Sequence, residues 1–451
     1  MTTPAQNRAT ARGVPEPPRP LAALDRSHLH SSLSDPLLGS VEFLNEVMRR
    51  YPDAISFAPG APHPDTYADL DVERFMHRFL EHAGAEWGHT PSGARRLLYE
   101  YGPSRGLVNG LVADLLRRDR QVHASPEAVV ITVGAQEAML LVLRALIRCD
   151  DDLLAVADPC YVGMTGTARL LGVGVVPVAE KEHGPDLEAL RAACRAARRS
   201  GRRIRAFYVA PDFSNPGGNH MDLAHRRELL ELAEAEDFLV VEDSVYGFTA
   251  AENEELPCLK AMDRGCRVVH LGTFAKVCFP GARVGYVVAD QKVRCEGART
   301  TLLADELARL KTMVTVNTSP LSQAVVAGML LEHGGSLAAV CRARSGLYRR
   351  NLAHLLDELD GLRDQGLSRD VKWNRPAGGF FVRMRLPIRV DDELLALSAA
   401  QYGVLWTPMA AFHLGSGGDC VLRLSCSYLD AEDITAGVAR LGAFLRGEVG
   451  A

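Results

Sequence analysis

A chain of 451 residues with 47% apolar and 24% charged side chains is long enough for two or three domains and too apolar to stay disordered. Its 51 lysines and arginines against 56 aspartates and glutamates leave a net charge of −5, with no basic block long enough to track a nucleic-acid backbone. No run of about 18 apolar residues exists to span a membrane, the N-terminus lacks a secretory apolar stretch, and ten cysteines without a C-x-x-C pair point to reduced thiols in a cytoplasm rather than to a disulfide framework or a zinc site.

In chain order, residues 1–38 are rich in Pro, Ala, Arg and Ser, including Pro15-Glu-Pro-Pro-Arg-Pro20, and read as a flexible arm or a strap over a subunit interface. Residues 39–84 read as the N-terminal part of a small domain with an interface segment. Over 85–330, strand-like runs near 128, 153, 174, 205, 238 and 267 alternate with helical stretches such as Asp186 to Arg198 and Leu223 to Ala235. That alternation predicts an α/β fold with a largely parallel sheet, whose functional residues lie beyond the strand ends. Ala128 to Val133 is one such strand, Gly134-Ala-Gln136 its turn and Glu137 to Arg148 the following helix; free amides at a helix start suit a phosphate. The basic run Arg195 to Arg205 falls at helix spacing and reads as a solvated face. After Thr315-Val-Asn-Thr-Ser-Pro320 a long helical stretch is expected over roughly Leu321 to Glu358. It leads into a smaller α+β domain over 331–451, which holds Gly378-Gly-Phe-Phe-Val382 and the strand Val421-Leu-Arg423-Leu-Ser425 with its arginine pointing inward. No internal repeat is visible.

The chemistry centres on Lys276, in Leu271-Gly-Thr-Phe-Ala-Lys-Val-Cys-Phe-Pro-Gly-Ala-Arg283-Val-Gly-Tyr286, between two apolar runs. A lysine at a buried turn loses solvation, which favours the neutral, nucleophilic amine that forms a Schiff base with an aldehyde. Upstream, Phe238-Leu-Val-Val-Glu242 ends in Asp243, with Tyr246 three residues on. A carboxylate at the end of a buried strand needs a cationic partner, and a protonated pyridine nitrogen is one. Another apolar run leads into Asp212-Phe-Ser-Asn215-Pro216-Gly217, so Asn215 and Tyr246 are both donors suited to a ring oxygen.

In this order and spacing the set resembles the class I/II aminotransferases of fold type I, with their Asn-Pro-x-Gly, Asp-x-x-Tyr, Ser/Thr-x-x-Lys and an arginine seven residues beyond the lysine. The resemblance runs from about Ala54 to Ser427. It implies pyridoxal 5'-phosphate as cofactor, with Lys276 as its Schiff-base lysine, Asp243 on the pyridine nitrogen, and Asn215 and Tyr246 on the ring oxygen. Thr273, Arg283 and the turn Gly134, Ala135 and Gln136 would hold the phosphate, and Tyr161 would stack on the ring. Tyr101, in Tyr101-Gly-Pro-Ser-Arg-Gly106, would reach the phosphate of the neighbouring subunit, which makes the working unit a homodimer with a shared site. Arg423 would take the substrate α-carboxylate in bidentate fashion, with Asn215, Gly60 and Ala61 on the substrate side.

The implied reaction moves an amino group from an α-amino acid to a 2-oxo acid. Its rival on the same scaffold is elimination, cyclisation or carbon–carbon bond formation on an amino acid such as S-adenosylmethionine. A regulator with an aminotransferase-like domain would carry a winged-helix domain ahead of it, and the residues available there are too few. Departures from the family pattern are Ala135 and Ala275, where many members carry serine, and Ile55 to Pro62, which is similar but not identical to the family's Gly-rich substrate-side strand. Within the family, Ser56 to His63, Val133 to Ala138 and Val404 to Pro408 look most like actinobacterial enzymes of the dihydroxyphenylglycine transaminase type, which serve antibiotic biosynthesis.

Overall fold

The structure is a computed structural model that describes residues 23–450 apart from 69 and 252–254, so Pro15 to Pro20 of the expected arm lie outside the described residues. An eight-stranded sheet forms its centre. After the short β1 (Ile55–Ser56), which lies elsewhere, the sheet strands are β2 (Val129–Thr132), β3 (Asp152–Asp158), β4 (Gly174–Lys181), β5 (Gly184–Pro185), β6 (Arg203–Val209), β7 (Leu239–Ser244), β8 (Val268–Thr273) and β9 (Gly285–Val288). They lie in the order β2-β9-β8-β7-β6-β3-β4-β5. From β4 to β8 every neighbouring pair is parallel, whereas β9 runs antiparallel between β8 and β2.

The inner strands are largely apolar because helices cover both faces. On one face Met139 and Leu143 of the helix Gly134–Leu146 share a core with Val156, Val241 and Val269. On the other, Leu190 and Leu229 of the helices Leu187–Arg199 and Leu223–Ala235 meet Ala155, Phe207 and Val240. Each valine, leucine, methionine or phenylalanine among them, fully buried, contributes about 1.5–3 kcal/mol. The alternation of the pleat then decides the chemistry of β7: Asp243 shares a face with Val241, and Glu242 shares the opposite face with Val240.

A hairpin, β10 (Lys292–Arg294) and β11 (Thr300–Leu302), precedes the C-terminal body. That body is built on the antiparallel strands β12 (Lys372–Trp373), β13 (Phe381–Arg385), β15 (Thr407–Pro408) and β16 (Val421–Ser425), in the order β12-β13-β16-β15. Between them in sequence, β14 (Val404–Leu405) pairs in parallel with β1. Trp406, Leu424 and Phe444 centre its core, and Val47 of the helix Pro36–Arg50 and Phe57 join them, so the N-terminal segment packs into the C-terminal body.

The long helical stretch expected over Leu321 to Glu358 is two helices, Pro320–Glu332 and Ala338–Asp364. Gly334 and Gly335, at φ +65° and +80°, break it in a conformation that glycine adopts without strain. The first of the two packs against the helix Val72–Ala85 so closely that a Cβ on Gly328 would run into the Phe75 carbonyl.

Candidate active site

Parallel strands deliver their C-terminal ends to one edge of a sheet. Asn215 follows β6, Asp243 is the penultimate residue of β7 with Tyr246 beyond it, Thr273 closes β8 with Lys276 beyond it, and Tyr161 follows β3. They converge on a cavity of about 780 Å³, whose walls also include Gly60, Ala135, Gln136, Arg283 and Arg423. Gly134 lies just behind this wall at φ +70°, where a Cβ would press to 2.7 Å from Arg283 Nη2. Ala61 turns its carbonyl to the Ser427 hydroxyl at 2.7 Å. Tyr101 is not brought to this chain's cavity; it stands 87% exposed on the surface.

Lys276 Nζ donates to the Gly60 carbonyl at 2.5 Å. Burial, reinforced by the positive charges of Arg423 and Arg283, pulls its amine down to about 8. A neutral amine is therefore available near neutral pH, where an ordinary lysine is protonated. Capture of a small aldehyde by Lys276 in cofactor-free protein is expected to rise with pH, to be half-maximal near 8 and to level off by about pH 9 to 10; stopped-flow absorbance reads it, and a rate still climbing steeply at pH 10 would contradict this environment.

Asp243 Oδ2 accepts from the Tyr208 hydroxyl at 2.6 Å, while Oδ1 is buried with no partner among the described residues. Burial pushes this carboxyl up to about 6, helped by the neighbouring Glu242 and offset by Tyr208 and His270. A buried, unpartnered carboxylate oxygen is costly unless a donor meets it there. Arg423, from β16, also lines the cavity. Its Nη1 donates to Asn215 Oδ1 at 2.6 Å and its Nη2 to the Ala58 carbonyl at 2.8 Å, and the guanidinium lies over Phe381 and Phe412 at 4.3 and 5.1 Å. Arg423 Nε has no partner among the described residues, and burial lowers the group to about 10, still cationic at neutral pH. With the Asn215 oxygen engaged, its NH₂ remains to donate. Burial raises the Tyr246 phenol well above its ordinary range, so it too is a donor.

The end suited to an anion is the start of the helix Gly134–Leu146, where no side chain among the described residues caps the first amides. Gln136 turns its carboxamide to the Gly163 carbonyl and the Thr167 hydroxyl, both at 2.9 Å, which leaves backbone amides and not its side chain facing the cavity. Arg283 sits at φ +50°, a left-handed conformation that costs a residue other than glycine about 1–2 kcal/mol, and it thereby points its guanidinium at Gly134. Behind this turn Glu137 accepts from the Val133 amide at 2.7 Å and from the buried Lys311 at 2.6 Å.

Sequence reasoning missed Tyr208, Glu137, Lys311 and Phe412. Tyr208 had a faint signal, a hydroxyl inside the apolar run Phe207-Tyr-Val-Ala210. The Lys311 and Glu137 pair had none, since 174 residues separate the partners.

A family model described as aminotransferase class I and II matches residues 65–441. The chain is 44% identical over 422 residues to the (S)-3,5-dihydroxyphenylglycine transaminase of Amycolatopsis orientalis, covering 94% of each. It is 31% identical over 401 residues to the 2-aminoadipate transaminase of Thermus thermophilus, covering 88% of this chain and 91% of that one. The kynurenine aminotransferase of Pyrococcus horikoshii, solved in complex with PMP, superposes with a TM-score of 0.77 at 26% identity over 91% of this chain and 95% of that one. Pyridoxal phosphate fits the residues present: an unpartnered carboxylate oxygen for a ring nitrogen, a neutral lysine for an aldehyde, and free helix amides with Arg283 for a phosphate. With the match spanning most of the chain and a 44%-identical transaminase beside it, the chain belongs to the class I and II aminotransferases, enzymes that work with pyridoxal 5'-phosphate.

Proposed function

We propose that this aminotransferase takes an arylglycine or a related aromatic amino acid as donor, in specialised metabolism of the antibiotic-forming kind, at a site shared by two copies in the cytoplasm. The observation that carries the assignment of roles is Asp243 Oδ1, buried and unpartnered in the cavity that holds Lys276. Pyridoxal phosphate, when bound, supplies an electrophilic carbon and an electron sink. Asp243 keeps positive charge on the ring nitrogen, Asn215 and Tyr246 donate to the ring oxygen, and Tyr161 covers a ring face. Thr273, Arg283 and the amides of Gly134, Ala135 and Gln136 hold the phosphate. Arg423 orients the substrate by its α-carboxylate, against Gly60 and Ala61, and the Lys276 amine moves the proton at the substrate α-carbon.

The aromatic donor is supported by the dihydroxyphenylglycine transaminase among the relatives and by apolar walls of the cavity at Leu44, Val162, Pro408 and Phe412. Ten free cysteines support the cytoplasmic setting. The pairing of β1 with β14 supports a division into a large domain over 85–330 and a small one over 331–451 that takes in part of 39–84. In a single turnover with an arylglycine, the expected products are the aryl 2-oxo acid and pyridoxamine phosphate, formed faster than with aspartate. An aspartate rate equal to or above the arylglycine rate would overturn the substrate assignment.

Tyr101 supports the shared site, because it is exposed beside Tyr99, at 76%, and cannot serve its own cavity from there. Exposed aromatic side chains in a cluster mark an interface, and a two-fold contact would bury both copies alike. Tyr101→Ala and Lys276→Ala chains, mixed, are expected to restore one intact site in each heterodimer. Purified heterodimers without activity, from parents that are folded and inactive, would place Tyr101 outside the partner's site.

A further inference from the structure

We propose that Tyr208 is a positioning residue for the reaction: its hydroxyl fixes the Asp243 carboxylate in the orientation that presents Oδ1 to the cavity. This rests on the role given to Asp243 above. The inference begins with an anomaly in β6. This strand lies between β3 and β7, and Tyr208 is 2% exposed among apolar neighbours. Phenylalanine would fill the same space with no polar atom to satisfy, whereas a buried hydroxyl is costly unless it is bonded.

The bond it makes is short, 2.6 Å, and runs to Asp243 Oδ2. Burial and the adjacent Asp243 hold the phenol well above its ordinary range, so the hydroxyl donates and the carboxylate accepts. Among the described residues this is the sole hydrogen bond to the Asp243 side chain. The last torsion of an aspartate is soft and roughly two-fold, so this bond alone stops the carboxylate from swinging. The other titratable groups around it act through space. His270 on β8 donates or accepts with Glu242 at 2.8 Å on the far face of the sheet, and Cys160, Tyr161 and Tyr246 flank the carboxylate without bonding to it.

A donor on Oδ2 has a second consequence. It draws electron density from the carboxylate, which makes Oδ1 less basic, so that Asp243 would leave a proton on the ring nitrogen of bound pyridoxal phosphate. With pyridoxal phosphate bound, loss of that donor would make Asp243 Oδ1 more basic, so that Asp243 would support less positive charge on the ring and the bound cofactor would titrate at higher pH.

Tyr208→Phe separates these effects from simple packing. Apo-protein is titrated with pyridoxal phosphate, and the visible absorption of the bound cofactor is followed against pH. The expected result is cofactor affinity about tenfold weaker, a titration midpoint moved upward, and kcat about tenfold lower with KM little changed, as for a lost hydrogen bond to a charged group. Placing 3-fluorotyrosine at 208 keeps the shape and strengthens donation, so its midpoint should move downward; it also serves if the phenylalanine variant does not fold. The double variant Tyr208→Phe with Asp243→Asn should bind no more weakly than Asp243→Asn alone, because one residue acts through the other. A folded Tyr208→Phe protein with wild-type affinity and midpoint, or a fluorotyrosine protein with an unmoved midpoint, overturns the proposal. If Asp243→Asn itself leaves both readings at wild type, the role of Asp243 fails and not merely that of Tyr208.

Discussion

Replacing Lys276 by alanine is expected to lower turnover by about 10⁴-fold or more while the protein stays folded. Two functions are removed together, the covalent hold on the cofactor and the base beside the substrate α-carbon, and positioned proton transfer alone contributes about 10²–10⁴-fold. The fold should tolerate the change because, among the described residues, the lysine makes a single hydrogen bond, to the Gly60 carbonyl, and belongs to no apolar core. Removing a buried amine, held down to about 8 by burial and two arginines, relieves a cost and leaves no charge unpaired. Steady-state kinetics and circular dichroism together check this; a folded variant with an undiminished rate would show that another group carries the proton.

Asp243→Asn is expected to keep the cofactor and lose about a hundredfold in kcat, with a smaller effect on KM, the size typical of losing one preorganised electrostatic contact. Asparagine preserves the shape and can still take the Tyr208 hydrogen bond on its oxygen. It cannot offer a negative charge to a ring nitrogen, and its NH₂ in place of Oδ1 would meet that nitrogen as a donor. The loss would therefore fall on removal of the proton from the substrate α-carbon, and substrate capture by Arg423, from β16, would be spared. Pre-steady-state kinetics with α-deuterated substrate isolates that step. An unchanged rate with chemistry limiting would remove Asp243 from the mechanism.

Most of the main sheet was legible because its inner strands are largely buried on both faces and read as mostly apolar runs: β3, β6, β7 and β8 lie where such runs occur. Much of the candidate site was legible for a related reason, since parallel topology turns residues just past strand ends into neighbours. Asn215, Asp243, Thr273 and Lys276 needed no knowledge of side-chain contacts to be grouped. What escaped were pairings across the fold. Tyr208 meets Asp243 from an adjacent strand 35 residues away, and Lys311 meets Glu137 from a separate helix, so neither pair has local spacing to announce it. The break at Gly334 and Gly335 was hidden for the opposite reason. Apolar spacing on both sides suited one continuous helix, and positive φ at both glycines decided otherwise.

The central claim is that Lys276 is the residue joined to the cofactor in the resting enzyme. Holoenzyme purified with pyridoxal phosphate is reduced with borohydride, digested and mapped by mass spectrometry. The expected result is one pyridoxyl-modified peptide, spanning Val268 to Arg283 or a part of it, with the label on Lys276. A stoichiometric label on Lys260, Lys311 or any other lysine, with Lys276 unmodified, would contradict the account.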